Sequence, residues 1–103
     1  MMLFFTVSKA QGAIAENMRN RRLATGLTQQ GLAKRSGVSL ATLRKFEQKG
    51  AISLESFLRL AMVLDTLEDM VKATELSVTE YSSIDEVLEA ERKKPPRKKG
   101  WRE

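Results

Sequence analysis

One stretch near the middle of the chain decides the fold: Leu27 to Glu47, which reads LTQQGLAKRSGVSLATLRKFE. Thr28 is a favoured helix N-cap residue, so we expect it to open a helix of about two turns over Gln29 to Arg35. Leu32 falls on the side of that helix that faces a core. Gly37 then supplies the backbone freedom for a tight turn, which separates this helix from the next.

A second capped helix follows the turn. Ser39 is the expected N-cap of a helix from Leu40 to about Gln48, and Gly50 lies just past its end. Leu43 and Phe46, three residues apart, share one face and are expected core residues. The other side chains of this helix fall elsewhere, so its first turns are free to contact something other than the core.

A longer helix is expected before this pair. Ser8 is its expected N-cap, and the helix runs to about Thr25, where Gly26 ends it. Ile14 and Met18 lie four residues apart and are expected to face the core.

Two more helices are expected after the pair. Ser53 opens the fourth helix, and Asp65 or Thr66 caps a short fifth one. The fourth helix carries the broadest apolar stripe of the chain, made by Leu54, Phe57, Leu58, Ala61, Met62 and Leu64. The residues assigned to the core are Leu32, Val38, Leu43, Phe46, Leu54, Leu58 and Leu64.

The central stretch resembles the helix-turn-helix of the phage-repressor family, also called the Cro/C1 or XRE type. The matching features are Thr28-Gln29 at a helix start, Leu32-Ala33 inside it, Gly37 at the turn, and a capped third helix that ends in Phe46-Glu47. With the flanking helices the resemblance covers about residues 8 to 73. It implies an all-α, five-helix lambda-repressor-like domain that binds specific double-stranded operator DNA as a transcription regulator.

A helix that enters the major groove needs polar or small side chains pointing at base edges. Ser39 is suited to a base or a phosphate, Leu40 and Ala41 to a thymine methyl, and Arg44 to guanine or phosphate. This surface is short on Gln and Asn, so the preferred bases do not follow from the sequence. The candidate DNA-binding residues are Thr28, Gln29, Ser39, Leu40, Ala41, Thr42, Arg44, Lys45 and Lys49.

Two polar positions carry alternative interpretations. The resemblance implies that Gln29 holds a phosphate together with backbone N–H groups, and the alternative is that it only helps to cap its helix. The resemblance also implies that Arg22 and Glu47 form a partly buried ion pair between helix 1 and helix 3. The alternative for Arg22 is a direct phosphate contact.

Charge is segregated along the chain. Residues 1 to 51 carry nine Lys and Arg against two Glu, whereas residues 52 to 91 carry two basic against ten acidic residues. Residues 92 to 103 are again basic, with seven Lys and Arg and a single Glu. A basic half suits a polyanion, and the acidic stretch is better suited to a protein partner with a basic surface or to a solvated face.

Composition argues against most enzyme classes. The chain has no Cys and no His, which removes thiol nucleophiles, imidazole bases and the commonest zinc ligands. It also lacks a phosphate-binding loop and a serine-base pairing at a recognised spacing, so we expect no enzyme activity, no cofactor and no metal. The apolar Met1 to Phe5 is too short for a secretory signal or a membrane span, which favours a cytoplasmic protein without membrane contact.

A single helix-turn-helix reads only a few base pairs, so a homodimer on inverted half-sites is expected. An interface is offered by apolar residues of helices 4 and 5, unless they only complete the core: Phe57, Leu60, Met62, Val63, Leu67 and Met70.

The ends of the chain are predicted separately from the domain at 8–73. Residues 1–7 form an N-terminal segment, in which Leu3 to Val7 offers a short dimer strand. Residues 74–82 are read as a linker, with a short strand at Leu76-Ser-Val78 as the alternative. A short acidic helix is expected over 83–92, and 93–103 form a disordered basic tail whose two prolines prevent a packed core. The tail, Trp101 included, is suited either to DNA or to a protein pocket.

The chain also resembles the HipB-like DNA-binding antitoxins of Hip-type toxin-antitoxin operons. The similarity rests on the amino-acid sequence from Ile52 to Ala61, the acidic stretch from Ser83 to Glu91, and the proline-containing tail near Trp101. It implies a repressor of its own operon that binds a HipA-like Ser/Thr kinase toxin, with a further small antitoxin in some systems. The alternative is a stand-alone phage-type repressor without a toxin partner.

Overall fold

The computed structural model describes residues 5–76, and these residues form five α-helices and no β-strand. The helices are α1 (Val7–Ala24), α2 (Gln29–Ser36), α3 (Leu40–Lys49), α4 (Leu54–Val63) and α5 (Leu67–Ala73). The prediction of an all-α, five-helix lambda-repressor-like domain is confirmed.

The structure covers only part of the two ends for which predictions were made. Val7 is the first residue of α1, so the strand predicted through Val7 is wrong at that residue. Residues 1–4 and 77–103 lie outside the described residues. Within the described residues, Phe5, Thr6 and Leu76 are not in a strand either. The predicted strands at 3–4 and 77–78, the helix over 83–92 and the basic tail therefore stay predictions.

The first helix starts two residues earlier than expected. Thr6, and not Ser8, is the N-cap: its backbone is extended, and its Oγ1 accepts a hydrogen bond of 3.0 Å from the backbone N–H of Lys9. Ser8 lies inside the first turn of α1. Thr6 and Ser8 are both good cap residues, and the sequence alone does not say which hydroxyl the helix uses.

The caps of α2, α3 and α4 follow the prediction. Thr28 Oγ1 accepts from the N–H of Gly31 at 2.9 Å, and Ser39 and Ser53 cap α3 and α4 in the same way at 3.1 Å. Gly37 ends α2 in the left-handed region. These contacts satisfy N–H groups that a helix end leaves without an intrahelical partner, so they define where each helix begins.

The fifth helix begins without a side-chain cap from Thr66. The Thr66 carbonyl accepts the N–H of Met70 at 3.1 Å, which puts Thr66 at the position just before α5. Its Oγ1, however, is buried and makes no hydrogen bond within residues 5–76. Asp65 has a left-handed backbone with φ 61°, which turns the chain between α4 and α5.

The core lies between α1, α2, α3 and α4. Its fully buried apolar residues are Ala15, Met18, Leu32, Val38, Leu43, Phe46, Leu60, Ala61 and Leu64. The Phe46 and Phe57 rings meet edge to face with centroids 5.8 Å apart, an arrangement that aromatic pairs favour.

Three apolar residues that the sequence assigned to the core are not fully buried. Leu54 is 72% exposed and Ile14 is 43% exposed, so neither is a core residue. Leu58 is only half-buried. Leu60, expected at a subunit interface, is completely buried in the core. Helix α4 is apolar on several sides, so periodicity alone does not identify the side that packs inward.

Candidate nucleic-acid interface

Helix α3 divides its side chains between the core and the surface. Leu43 and Phe46 are buried. Leu40 and Thr42 are half-buried at the border of the core. The remaining candidates on α3 and at its cap are exposed: Ser39, Ala41, Arg44, Lys45 and Lys49. The structure therefore leaves five of the expected α3 residues exposed, and three of them carry a positive charge.

The hydroxyls of Ser39 and Thr42 form a closed pair at the start of α3. Ser39 Oγ accepts the backbone N–H of Thr42 at 3.1 Å and donates its own hydrogen to Thr42 Oγ1 at 2.8 Å. Either hydroxyl is able to donate in this pair, so one of the two hydroxyl hydrogens remains available to a ligand.

A buried ion pair joins α1 to α3. Arg22 donates from Nε to Glu47 Oε2 at 2.7 Å and from Nη2 to Glu47 Oε1 at 3.0 Å, and its Nη1 donates to the Leu27 carbonyl at 2.9 Å. The two side chains are 8% and 4% exposed. Of the two interpretations of Arg22, this geometry corresponds to the internal ion pair, because all three donor nitrogens face protein acceptors.

The protonation of Glu47 reflects opposing effects. Burial is the largest single effect and raises the pKa of the carboxyl group. The hydrogen bonds from Arg22 and Gln29 and the charges of Arg22 and Arg19 lower the pKa, and their sum outweighs the effect of burial. The net result is a Glu47 pKa below its ordinary value. Glu47 is therefore a carboxylate at neutral pH, as a bidentate contact with arginine requires.

Gln29 lies at the junction of this ion pair and the surface. Its Nε2 donates to Glu47 Oε1 at 3.0 Å, and its Oε1 accepts from Arg44 Nε at 3.5 Å. The side chain does not cap α2, because the capping contact belongs to Thr28. Sequence reasoning missed both contacts, since Gln29 is 18 residues from Glu47 and 15 from Arg44.

Thr28 is the last of the candidates that the structure places. Its side chain is exposed at the start of α2, and its Oγ1 already accepts the Gly31 N–H. The hydroxyl hydrogen of Thr28 remains a donor, so the residue is able to combine capping with a ligand contact.

The sequence that forms α2, the Gly37 turn and α3 lies within a match to a protein-family model. A model described as helix-turn-helix matches residues 18–71, just over half of the chain. The chain belongs to the XRE-type helix-turn-helix family. Neither the comparison with curated proteins nor the comparison with solved structures gave a match.

Membership of this family gives the protein its general function. The helix-turn-helix unit is α2, the turn and α3, and the matched region begins inside α1 and ends inside α5. The protein is a sequence-specific DNA-binding transcription regulator, and the family is a DNA-binding family rather than an enzyme family. Within residues 5–76, no group of three or more Asp or Glu side chains is arranged to hold a metal ion. No helix in that part of the chain is long and apolar enough to cross a membrane.

Proposed function

We propose that the protein is a homodimeric transcriptional repressor that inserts α3 into the major groove of its operator. The observation that carries the proposal is the division of α3: Leu43 and Phe46 are buried, while the cap and the outward turns are exposed and basic. The proposed DNA contacts are Thr28, Gln29, Ser39, Leu40, Ala41, Thr42, Arg44, Lys45 and Lys49. The buried Arg22–Glu47 pair supports the proposal, because it joins α3 to α1 and so fixes the position of α3 in the domain.

The contacts divide into two kinds. Thr28 and Gln29 at the start of α2 are proposed to hold a phosphate, which positions the protein without reading sequence. Ala41 and Lys45 lie four residues apart on the same outward side of α3, so they are proposed to face the base edges.

A binding measurement with matched duplexes tests this assignment. The bound sequence is first selected from a random duplex pool, and its affinity is then compared with that of a scrambled duplex by fluorescence anisotropy at about 0.15 M salt. We expect at least about a tenfold preference, reduced by Lys45→Ala because base contacts carry specificity. Lys34→Ala is the matched control, since Lys34 is exposed on α2 outside the proposed surface. An unchanged preference in Lys45→Ala would contradict the role of that residue.

A homodimer is proposed because one helix-turn-helix covers too few base pairs for useful specificity. Met62 on α4 supports it: this large apolar side chain is 67% exposed. We expect Met62→Glu to convert a dimer into a folded monomer in sedimentation velocity measurements, while Leu54→Glu, at an equally exposed position of the same helix, leaves the dimer intact. A wild-type chain that sediments as a monomer on its operator would contradict the dimer.

We further propose that the protein represses its own operon as a HipB-like antitoxin and binds a HipA-like Ser/Thr kinase toxin. The support is the sequence similarity from Ile52 to Ala61 and the excess of acid over base after residue 52. Within residues 52–76, five acidic residues face two basic ones. An acidic surface does not favour DNA, so it is available to a basic protein.

This finer role has two tests. Specific binding to DNA upstream of the protein's own gene supports autoregulation, and binding elsewhere only would contradict it. Complex formation with a purified HipA-like kinase encoded in the same operon supports the antitoxin role. A gene without such a neighbour would favour the alternative, a stand-alone phage-type repressor.

A further inference from the structure

A continuous chain of hydrogen bonds leads from the buried core to the DNA-facing side of α3. It starts at Arg22, passes through Glu47 and Gln29, and ends at Arg44. The first pair is almost fully buried and the last side chain is exposed. A residue at the end of such a chain is positioned by groups that do not themselves reach the surface.

The two ends of the Gln29 amide determine its orientation. Its NH2 group faces the Glu47 carboxylate, which only accepts, and its oxygen faces the Arg44 guanidinium, which only donates. Rotating the amide by half a turn would break both contacts. Gln29 therefore presents a fixed acceptor to Arg44.

This contact leaves the binding end of Arg44 free. Only Nε of Arg44 bonds to Gln29, so Nη1 and Nη2 are available for two parallel hydrogen bonds to one anion. Such bidentate pairing is the usual way in which arginine recognises a phosphate.

The contact also holds Arg44 on the side of α3 that meets the start of α2, and not in the direction of Lys45. Successive helix residues are rotated by about 100°, so Lys45 points to a different side from Arg44. Arg44 leans towards Gln29 at the start of α2, whereas Lys45 is exposed about 100° further round α3.

We propose that Gln29 is a positioning residue that directs Arg44 onto a DNA phosphate, so that Arg44 contributes affinity but no sequence preference, while Lys45 supplies the preference. This inference rests on the proposed DNA-binding surface. It decides between the two partners that the sequence left open for Arg44, guanine and phosphate.

The test compares Arg44→Ala with Lys45→Ala, two single-charge deletions at adjacent positions. Dissociation constants for the selected and scrambled duplexes are measured by anisotropy from about 0.05 to 0.3 M salt. Arg44→Ala is expected to weaken binding to both duplexes by the same factor. It is also expected to reduce the slope of log affinity against log salt concentration by about 1, because one phosphate contact is lost. Lys45→Ala is expected to lower the ratio of the two affinities by about fivefold or more.

Gln29→Met tests the positioning step. This substitution keeps the length of the side chain but removes the oxygen that accepts from Arg44, so it is expected to weaken binding to both duplexes. Gln29→Met is expected to lower DNA affinity less in the Arg44→Ala background than in the wild type, because the Gln29–Arg44 hydrogen bond is already absent there. Melting curves without DNA report whether each variant is folded. If Gln29→Met does not fold, the salt slopes of Arg44→Ala still decide the phosphate contact.

The outcomes separate this inference from the function on which it rests. A wild type that binds both duplexes equally contradicts the proposed surface. A wild type that discriminates, together with an Arg44→Ala variant that loses the discrimination, contradicts the inference alone and assigns Arg44 to a base. Equal costs of Gln29→Met in both backgrounds contradict the positioning role.

Discussion

Gly50, the C-cap of α3, lies close to the backbone of α1 at Gln11, and its replacement by alanine tests how α3 is held against α1. Gly50 is buried and has φ +76°, a conformation that L-residues avoid. A Cβ atom built there would lie 2.9 Å from the carbonyl carbon, the carbonyl oxygen and the Cβ of Gln11. Two of these are backbone atoms of α1, so the neighbour is unable to rotate away.

The expected loss of stability combines two costs. The left-handed backbone costs an alanine about 1–2 kcal/mol, and forcing an extra carbon into a packed contact costs about 1–3 kcal/mol. The lower entropy of the unfolded alanine chain returns about 0.4–1 kcal/mol. The net expectation for Gly50→Ala is a loss of about 3 kcal/mol, the centre of a range of about 1–4.6 kcal/mol. For a domain of this size that corresponds to a decrease in Tm of about 10–25 °C.

Two other glycines provide matched controls. Gly26 and Gly37 have the same φ of +76°, but a Cβ on Gly26 meets no atom within 4 Å, and one on Gly37 meets only the end of the Arg59 side chain at 3.4 Å. Alanine at either position is expected to lower the free energy of unfolding by about 1 kcal/mol, which corresponds to a decrease in Tm of about 4–8 °C. Thermal unfolding followed by circular dichroism at 222 nm measures all three. If Gly50→Ala melts together with Gly26→Ala, the close contact between α3 and α1 does not exist.

Three further predictions concern the helices and the buried ion pair. Gly12 lies within α1 with open space around it, so Gly12→Ala is expected to raise the free energy of unfolding by about 0.5–1 kcal/mol in urea titrations, and a decrease would indicate a contact at this site. Leu60→Ala is expected to cost about 2–5 kcal/mol in the same assay, whereas exposed Leu54→Ala costs less than about 1 kcal/mol; similar losses would contradict the packing of α4. The Glu47 pKa is lower in the folded state than the ordinary 4.5, so its stabilising contribution is complete above that value and is lost as the pH falls through the folded-state pKa. Glu47→Gln is expected to be less stable by about 3–5 kcal/mol near pH 7 and to lose less stability than the wild type upon acidification; an unchanged acid dependence would show that another carboxyl group is responsible.

Features determined by a few neighbouring residues could be predicted from the sequence. The caps at Thr28, Ser39 and Ser53 each depend on a hydroxyl and an N–H group three residues later, and the turn at Gly37 depends on one residue. These local signals placed the helices correctly, except at Thr6, where two cap residues compete within one turn.

Features determined by how helices cross could not be predicted in the same way. Helix α4 is apolar on several sides, and whether Leu54 or Leu60 faces inward depends on where α2 and α5 lie against it. The contacts of Gln29 with Glu47 and Arg44 depend equally on how α2 meets α3. The residue types at these positions are compatible with other pairings, so spacing does not select among them.

The hydrogen-bonded chain has a consequence for interpreting any variant of this surface. Glu47 balances the buried charge of Arg22 and also anchors Gln29, which in turn contacts Arg44. A substitution of Glu47 therefore changes the stability of the domain and the orientation of an exposed arginine together. Because Arg44 lies at the free end of the chain, its removal leaves the buried pair intact. Loss of DNA binding in a Glu47 variant thus says nothing by itself about DNA contacts, whereas the same loss in a folded Arg44 variant does.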